Sequence, residues 1–361
     1  MAADTAATTS ATDAAVATEA VSAGGSAGAR LPVAMAYRAP IWLPGGNLQT
    51  IWAARAARTH AGAAPRWVRS RWTTPDGDFI DVDRAAHASA PDAPLLVLFH
   101  GLEGSSASHY ALAFADFAAA NGLGFAVPHF RGCSGELNSA PRAYHSGDFE
   151  EIDWVLKRFA AEAPGGALLA VGVSMGGNAL LRWAGEFGNS ASCTVRAVAA
   201  VSSPLDLAAS GHAIGRGFNR LVYTRMFLAT MVPKALQKLE QHPGLFDRDA
   251  VLAARDLYAF DNLFTAPLHG FLNTADYWQR ASAQPVLGAV RVPALLLNAR
   301  NDPFVPAGSL PTTQQVSPSV TLWQPEQGGH VGFPGADGPL ALPGHVRAMP
   351  QAVGRWLMDH I

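Results

Sequence analysis

A chain of 361 residues that is 49% hydrophobic and 15% charged can bury a large core, which excludes a disordered protein and fits one large α/β domain carrying an insertion. A formal net charge of −2 offers no electrostatic attraction to nucleic acid or to an anionic membrane. The two cysteines, Cys133 and Cys193, are too few for a disulfide framework and lack metal-ligand spacing, and no stretch of about 18 apolar residues is present to span a membrane, so a reducing cytoplasm is the expected setting.

Residues 1 to 30 are mostly Ala, Thr, Ser and Gly, with Asp4, Asp13 and Glu19 and no Arg before Arg30. They lack the basic start and apolar centre of a secretory signal and the arginines of a transit peptide, and so read as a disordered tail. The first part of the core is expected over 31 to 204. It opens on an arm, Tyr37 to Trp52 (YRAPIWLPGGNLQTIW), whose aromatics and Gly-Gly turn show no clear period. Such an arm packs its aromatics on the domain or helps to wall a site. Trp67 to Trp72 and Phe79 to Val82 alternate around Thr74-Pro75-Asp76-Gly77 and predict an antiparallel hairpin. Pro94 to His100 (PLLVLFH) is a buried strand, a helix follows from Ser108 to Ala120, and Gly124 to Phe130 is the next strand. Asp148 and Glu151 have the spacing of a capping box for a helix that turns Phe149, Ile152, Val155, Leu156 and Phe159 inward.

Ala167 to Val173 is an apolar run broken only by Gly172, and it leads into Gly172-Val173-Ser174-Met175-Gly176 and a helix reaching about Phe187. A GxSxG sequence on a strand-to-helix turn is the pattern of a nucleophile elbow. The residues two before and two after the serine crowd it, so Gly172 and Gly176 must be nearly free of side chain. The helix then aims its N-terminal amides at the site where an oxyanion would form. Val195 to Ser202 is strand again. From 205 to 285 the pattern is helical, interrupted by Pro233, Pro243 and Pro267; it is too long for one crossover and reads as a helical lid insertion. Leu221, Tyr223, Met226, Phe227, Leu228 and Met231 in it suit an apolar acyl pocket or ordinary core packing. The second part of the core, 286 to 361, contains strand Pro293 to Ala299, a helix near Ala307 to Gln315, strand Val320 to Gln324 and a last helix from Val346 to Met358. The fold class is α/β, with a mainly parallel eight-stranded sheet flanked by helices and antiparallel at its start.

A serine hydroxyl becomes a good nucleophile only when a base takes its proton and a third group holds the base. In this architecture the partners follow in the order serine, acid, histidine, on loops at the carboxyl ends of later strands. Asp302 follows PALLLNAR and His330 follows VTLWQ, the latter flanked by Gly328, Gly329 and Gly332. Asp302 is the expected orienting acid; a helix N-cap is its other reading, and Asp206 is a rival acid. Two amides must meet a developing oxyanion, and those of Leu102 and Met175 are expected to do so. His100 and Gly101 shape the Leu102 loop, His100 as a buried hydrogen-bonded residue rather than a proton carrier. Glu103, His109, Cys133 and Asn178 lie on the same rim and are expected to brace loops.

The motifs HGLEGSS, FRGCSGELN, RAYHSGD, GVSMGGN, RNDPFVP and GGHVGF occur in this order behind WLPGGNLQT. Through them the chain resembles, from about Tyr37 onward, the YheT-like α/β hydrolases, the bacterial branch of the α/β-hydrolase 4 family. The resemblance implies the α/β-hydrolase fold and places Ser174, Asp302 and His330 at the charge-relay positions. It also implies hydrolysis of carboxylic esters, commonly with short to medium acyl chains, and of lipid esters in eukaryotic relatives. No HExxH, P-loop or dinucleotide GxGxxG calls for a metal or an organic cofactor. The expected function is a serine esterase acting on a small-molecule ester or lipid-like substrate through an acyl-enzyme. An alcohol acyltransferase using the same triad and a non-catalytic binding protein on a hydrolase scaffold are the alternatives.

Overall fold

Around Thr74-Pro75-Asp76-Gly77 the chain folds back into the expected hairpin of β1 (Trp67–Thr73) and β2 (Phe79–Ala85), with Trp67 opposite Ala85 and Thr73 opposite Phe79. The structure is a computed structural model that describes residues 37–361 except 88, 163–165, 338–341 and 343; the expected tail, 1 to 30, lies outside the described residues. Six further strands follow: β3 (Leu95–Phe99), β4 (Gly124–Pro128), β5 (Leu168–Val173), β6 (Ala197–Val201), β7 (Ala294–Leu297) and β8 (Val320–Trp323). They form one eight-stranded sheet in the order β1-β2-β4-β3-β5-β6-β7-β8, in which only the pairings of β2 are antiparallel. Because β3 has β4 on one side and β5 on the other, the winding reverses there. A crevice therefore opens at the carboxyl ends of β3 and β5, where ligands bind in open α/β sheets.

The apolar strands are buried on both faces. Along β3, Leu96 and Leu98 join one hydrophobic cluster while Val97 and Phe99 join the other, as the period of two requires. Helices His109–Ala120 and Ala348–Met358 cover the first face; Phe149–Glu162 and Met175–Phe187 cover the second. Ile152, Val155, Leu156 and Phe159 point inward as expected, and Phe149 is half-buried.

Two local expectations fail for physical reasons. Asp148 and Glu151 form no capping box, because Arg142 takes Asp148 and Arg131 Nε donates to Glu151 Oε2 at 2.6 Å. A charged guanidinium outcompetes a neutral amide for a buried carboxylate. The helix expected near Ala307 to Gln315 shrinks to one 3-10 turn, Ala307–Ser309. Pro311 has no N–H to give and holds Leu310 extended, at φ −69° and ψ 138°. The arm, in contrast, contains a helix, Gly46–Arg55, whose buried positions include Gln49 and Thr50 while Leu48 is exposed. With polar residues inward it carries no apolar period to read.

Between β6 and β7 the described chain is all helix, turn and loop. Its longer elements are Leu207–Ile214, Arg225–Gln241 with Pro233 inside it, Leu257–Leu263 and Thr274–Ala281.

Candidate active site

Ser174 sits between β5 and helix Met175–Phe187 at φ 53° and ψ −122°, a strained backbone for a residue with a side chain. Its neighbours must be glycine. A Cβ on Gly172 would lie 2.5 Å from Gly176 O, and one on Gly176 would lie 2.4 Å from Phe99 O. The turn can thus hold the hydroxyl clear of the sheet.

The loops after β7 and β8 reach back to it. His330 Nε2 lies 2.9 Å from Ser174 Oγ, and His330 Nδ1 lies 2.9 Å from Asp302 Oδ2. Asp302 Oδ1 also accepts from the amides of Phe304 at 2.7 Å and Val305 at 3.2 Å, so the carboxylate is fixed by its own loop. No helix follows it that it could cap. The rival Asp206 is spent elsewhere, accepting from Ala209 N at 2.9 Å as the N-cap of Leu207–Ile214. Hydroxyl, imidazole and carboxylate form one row, able to move a proton from the hydroxyl onto an imidazole whose far nitrogen is already engaged.

The Leu102 loop lies against this row. Phe99 pairs with Gly172, and a Cβ on Gly101 would approach Ser174 Cβ to 3.1 Å. Gly101 N donates to Tyr110 Oη at 2.9 Å, whereas among the described residues the amides of Leu102 and Met175 donate to no protein acceptor. His100 is fully buried: Nδ1 meets Gly101 O at 2.8 Å and Nε2 accepts from Phe130 N at 3.0 Å. Burial pushes its pKa down to about 3, which keeps it neutral. It pins the turn.

The other rim residues also brace. Asn178 Nδ2 donates to Ser146 O and Ala281 O, both at 2.8 Å, and its Oδ1 accepts from Ala283 N at 2.9 Å. His109 Nε2 meets Val331 O at 3.0 Å. Glu103 accepts from Tyr144 Oη at 2.8 Å and pairs with Lys234 Nζ at 2.8 Å. Cys133 is buried, and burial pushes its thiol up to about 12, so it is no activated thiolate.

A model of the α/β hydrolase fold matches residues 94–337. The chain belongs to the α/β hydrolase family. It is similar to YheT of Escherichia coli (strain K12), a protein named as an esterase, with 38% identity over 292 residues, 80% of this chain and 84% of that one. It is 32% identical to phospholipase ABHD3 of Mus musculus over 271 residues, 72% of this chain and 64% of the mouse protein. Among solved structures, acylaminoacyl peptidase of Pyrococcus horikoshii aligns with a TM-score of 0.51 at 14% identity, over 82% of this chain and 41% of that one; this likeness concerns the fold alone.

In this α/β hydrolase, sequence reasoning missed the residues that hold the His330 loop. Four successive amides each find a side-chain oxygen: Gly328 N reaches Gln49 Oε1 at 2.9 Å, Gly329 N reaches Asn301 Oδ1 at 3.0 Å, His330 N reaches Thr50 Oγ1 at 2.8 Å, and Val331 N reaches Ser202 Oγ at 3.0 Å. Gln49 Oε1 also accepts from Asn301 Nδ2 at 3.0 Å, so the arm ties the Asp302 loop to the His330 loop. Phe304 lies against the imidazole, with ring centroids 4.1 Å apart.

A cavity of about 1080 Å³, its open mouth included, extends from Ser174, Leu102 and Met175 to residues of the helical stretch between β6 and β7. Of the six residues considered for an acyl pocket, Phe227 and Met231 line it. Leu221 and Met226 face outward, Tyr223 is buried against Phe304, and Leu228 packs behind the wall, in the cluster that also holds Met231, Phe260 and Phe264. Leu221 and Tyr223 lie in a π turn, Arg220–Thr224, and the other four in the regular helix Arg225–Gln241, where Phe227 and Met231, four residues apart, share the face toward the cavity. Among the described residues no cluster of His, Cys, Asp or Glu could hold a metal ion, and no helix is long and apolar enough to cross a membrane.

Proposed function

We propose that Ser174, His330 and Asp302 make this α/β hydrolase a serine esterase that works through an acyl-enzyme. The observation that carries the reading is the row from Ser174 Oγ through the imidazole to Asp302, with 2.9 Å on each side of the ring, built on an elbow strained at φ 53°. His330 takes the hydroxyl proton as Ser174 attacks the ester carbonyl, then hands it to the leaving alcohol; Asp302 holds the ring and stabilises the imidazolium. The amides of Leu102 and Met175, without acceptors of their own, stabilise the tetrahedral oxyanion. Water then attacks the acyl-enzyme by the same route in reverse and releases the acid.

The protein is a carboxylic ester hydrolase, in line with the esterase and phospholipase names of its relatives. Phe227, Met231, Leu207 and Ile214 on the insertion give the cavity beside Ser174 an apolar wall, which suits a short to medium acyl chain. The insertion, 205 to 285, serves as the lid over that cavity. A chain-length series of p-nitrophenyl esters tests the mechanism. Ser174→Ala is expected to lose about 10³-fold or more of kcat without loss of folding, and to escape labelling by a fluorophosphonate that labels the wild type. Equal turnover by both proteins would end the proposal.

A further inference from the structure

The cavity contains a carboxylate that ester hydrolysis does not use. Asp261, on helix Leu257–Leu263, lines it beside Phe260, Phe264, Tyr277 and Trp278. Its oxygens accept from Thr265 Oγ1 at 2.7 Å and Trp278 Nε1 at 2.9 Å, and among the described residues no cation faces it. Every other charge on the cavity wall is spoken for. Lys234 pairs with Glu103 at 2.8 Å, and Arg131 is bonded to Asp76, Asp78 and Glu151. Lys238 gives its ammonium to Asn138 O, Ala140 O and Gln241 Oε1. Asp261 remains as a negative charge without a counter-ion, set among aromatic rings.

Orienting a threonine hydroxyl and an indole N–H needs acceptors but no charge, and a neutral amide oxygen would supply them. An ionised carboxylate enclosed without a cation is costly, and burial has pushed Asp261 up to about 6, which still leaves it mostly ionised at neutral pH. A carboxylate offers about four lone-pair sites, and two are in use here. Aromatic faces attract cations most strongly where water is excluded. We propose that Asp261, with the rings of Phe260, Phe264, Tyr277 and Trp278, forms a subsite for an organic ammonium group carried by the ester. The proposal rests on the esterase reading for its substrate class. The acyl chain then lies along the apolar wall near Ser174, and the cationic end turns toward Asp261.

Butyrylcholine and its uncharged isostere 3,3-dimethylbutyl butyrate differ at the quaternary centre alone, and their ratio of kcat/KM reads the subsite. The wild type is expected to favour the choline ester by about tenfold or more. In Asp261→Asn that ratio falls toward one, while turnover of the uncharged ester stays within about threefold of the wild type. Tetramethylammonium chloride should inhibit hydrolysis of the uncharged ester by the wild type more strongly than sodium chloride at equal ionic strength, a readout independent of how the variant folds. A wild-type ratio at or below one, or no difference between the two salts, overturns the subsite. Should neither ester be hydrolysed, the esterase reading fails on its own. Calorimetric binding of the two esters to Ser174→Ala then decides: tighter binding of butyrylcholine supports the subsite, and equal binding overturns it.

Discussion

Thr50 lies 280 positions before His330 in the chain, yet its hydroxyl receives the His330 amide and passes its own proton to Gly46 O at 2.7 Å. The loop it steadies is under conformational load, with Val331 at φ 55° and Phe333 at φ 40°, so the imidazole stays in line only while the amides of 328 to 331 are held. Replacing Thr50 by Val keeps the shape, removes the acceptor and leaves a buried amide unpaired, a loss of about 1–3 kcal/mol divided between stability and ring placement. Thr50→Val is expected to lower kcat on an uncharged ester by roughly 10- to 100-fold with little change in KM, and Thr50→Ser to restore most of it. A parallel fall in kcat/KM and in melting temperature, unrescued by Ser, would mark Thr50 as mere packing. Ser174, Asp302 and His330 were legible because each sits in a short motif whose flanking glycines or strand leave a local trace. Gln49 and Thr50 leave none, since a hydroxyl and an amide in an aperiodic arm look like any exposed polar pair until the fold brings the far loops to them. Their place in WLPGGNLQT, a stretch already matched to a family motif, was the available hint.

One side chain of the elbow helix ties the close of segment 205 to 285 to the loop before helix Phe149–Glu162. Asn178, four residues after Ser174, donates to Ser146 O, ahead of helix Phe149–Glu162, and to Ala281 O at the end of helix Thr274–Ala281, and accepts from Ala283 N. Asn178→Leu has the right size but leaves three buried backbone groups unpaired. It is expected to cost about 2–5 kcal/mol, seen as a lower denaturant midpoint, and to open residues 274–283 to protease before the sheet unfolds. An unchanged proteolytic pattern would show that Ser146 and Ala283 are held by something else. Secondary structure was legible where it is periodic and lost where side-chain competition or a proline intervenes. The strands and the covering helices were readable from apolar period alone, and so was the helical character of 205 to 285. The capping box at Asp148 and Glu151 was lost to Arg142 and Arg131 of the aperiodic loop just before the helix, whose folding back no period announces, and the helix after Ala307 was lost to Pro311. The split of Met226 from Phe227 and Met231 is ordinary helix period: all three lie in Arg225–Gln241, where Phe227 and Met231 are four apart on one face and Met226 is turned off it.

At the scale of the whole molecule, titratable groups buried around the crevice set how stability depends on acid. His100 is pushed down to about 3 and His145 to about 4, in each case by burial first, and burial also lowers His109 and His345. In the unfolded chain such histidines take a proton near about 6.5. The native state refuses that proton, so stability is lost as pH falls below this value, for fully buried His100 by about 1.4 kcal/mol per pH unit. Two acids act in the opposite sense. Glu151 is raised to about 7 by burial and then by Asp148, and Asp261 is raised to about 6 by burial. Both accept a proton in the native state before the unfolded chain does, near about 4, and so add stability across the window in which the histidines remove it. Below that window the offset is complete and the remaining trend has one sign. His100 continues to resist protonation, and carboxylates held by arginine join it. Burial pushes Asp76 up, but its bonds from Arg131 and Thr74 outweigh this and bring it to about 2; Asp83, bonded to Arg69, His129 and Ser106, is lowered further. Their contribution is present above the unfolded carboxyl pKa of about 3.9 and is lost as pH falls through the native values. Melting temperature at constant ionic strength should therefore decline shallowly from pH 7 to about 4.5 and steeply beneath it. A uniform slope beginning at pH 6.5 would mean that Glu151 and Asp261 are not the counterweights placed here, and Glu151→Gln, which removes one of them, should convert the shallow segment into such a slope.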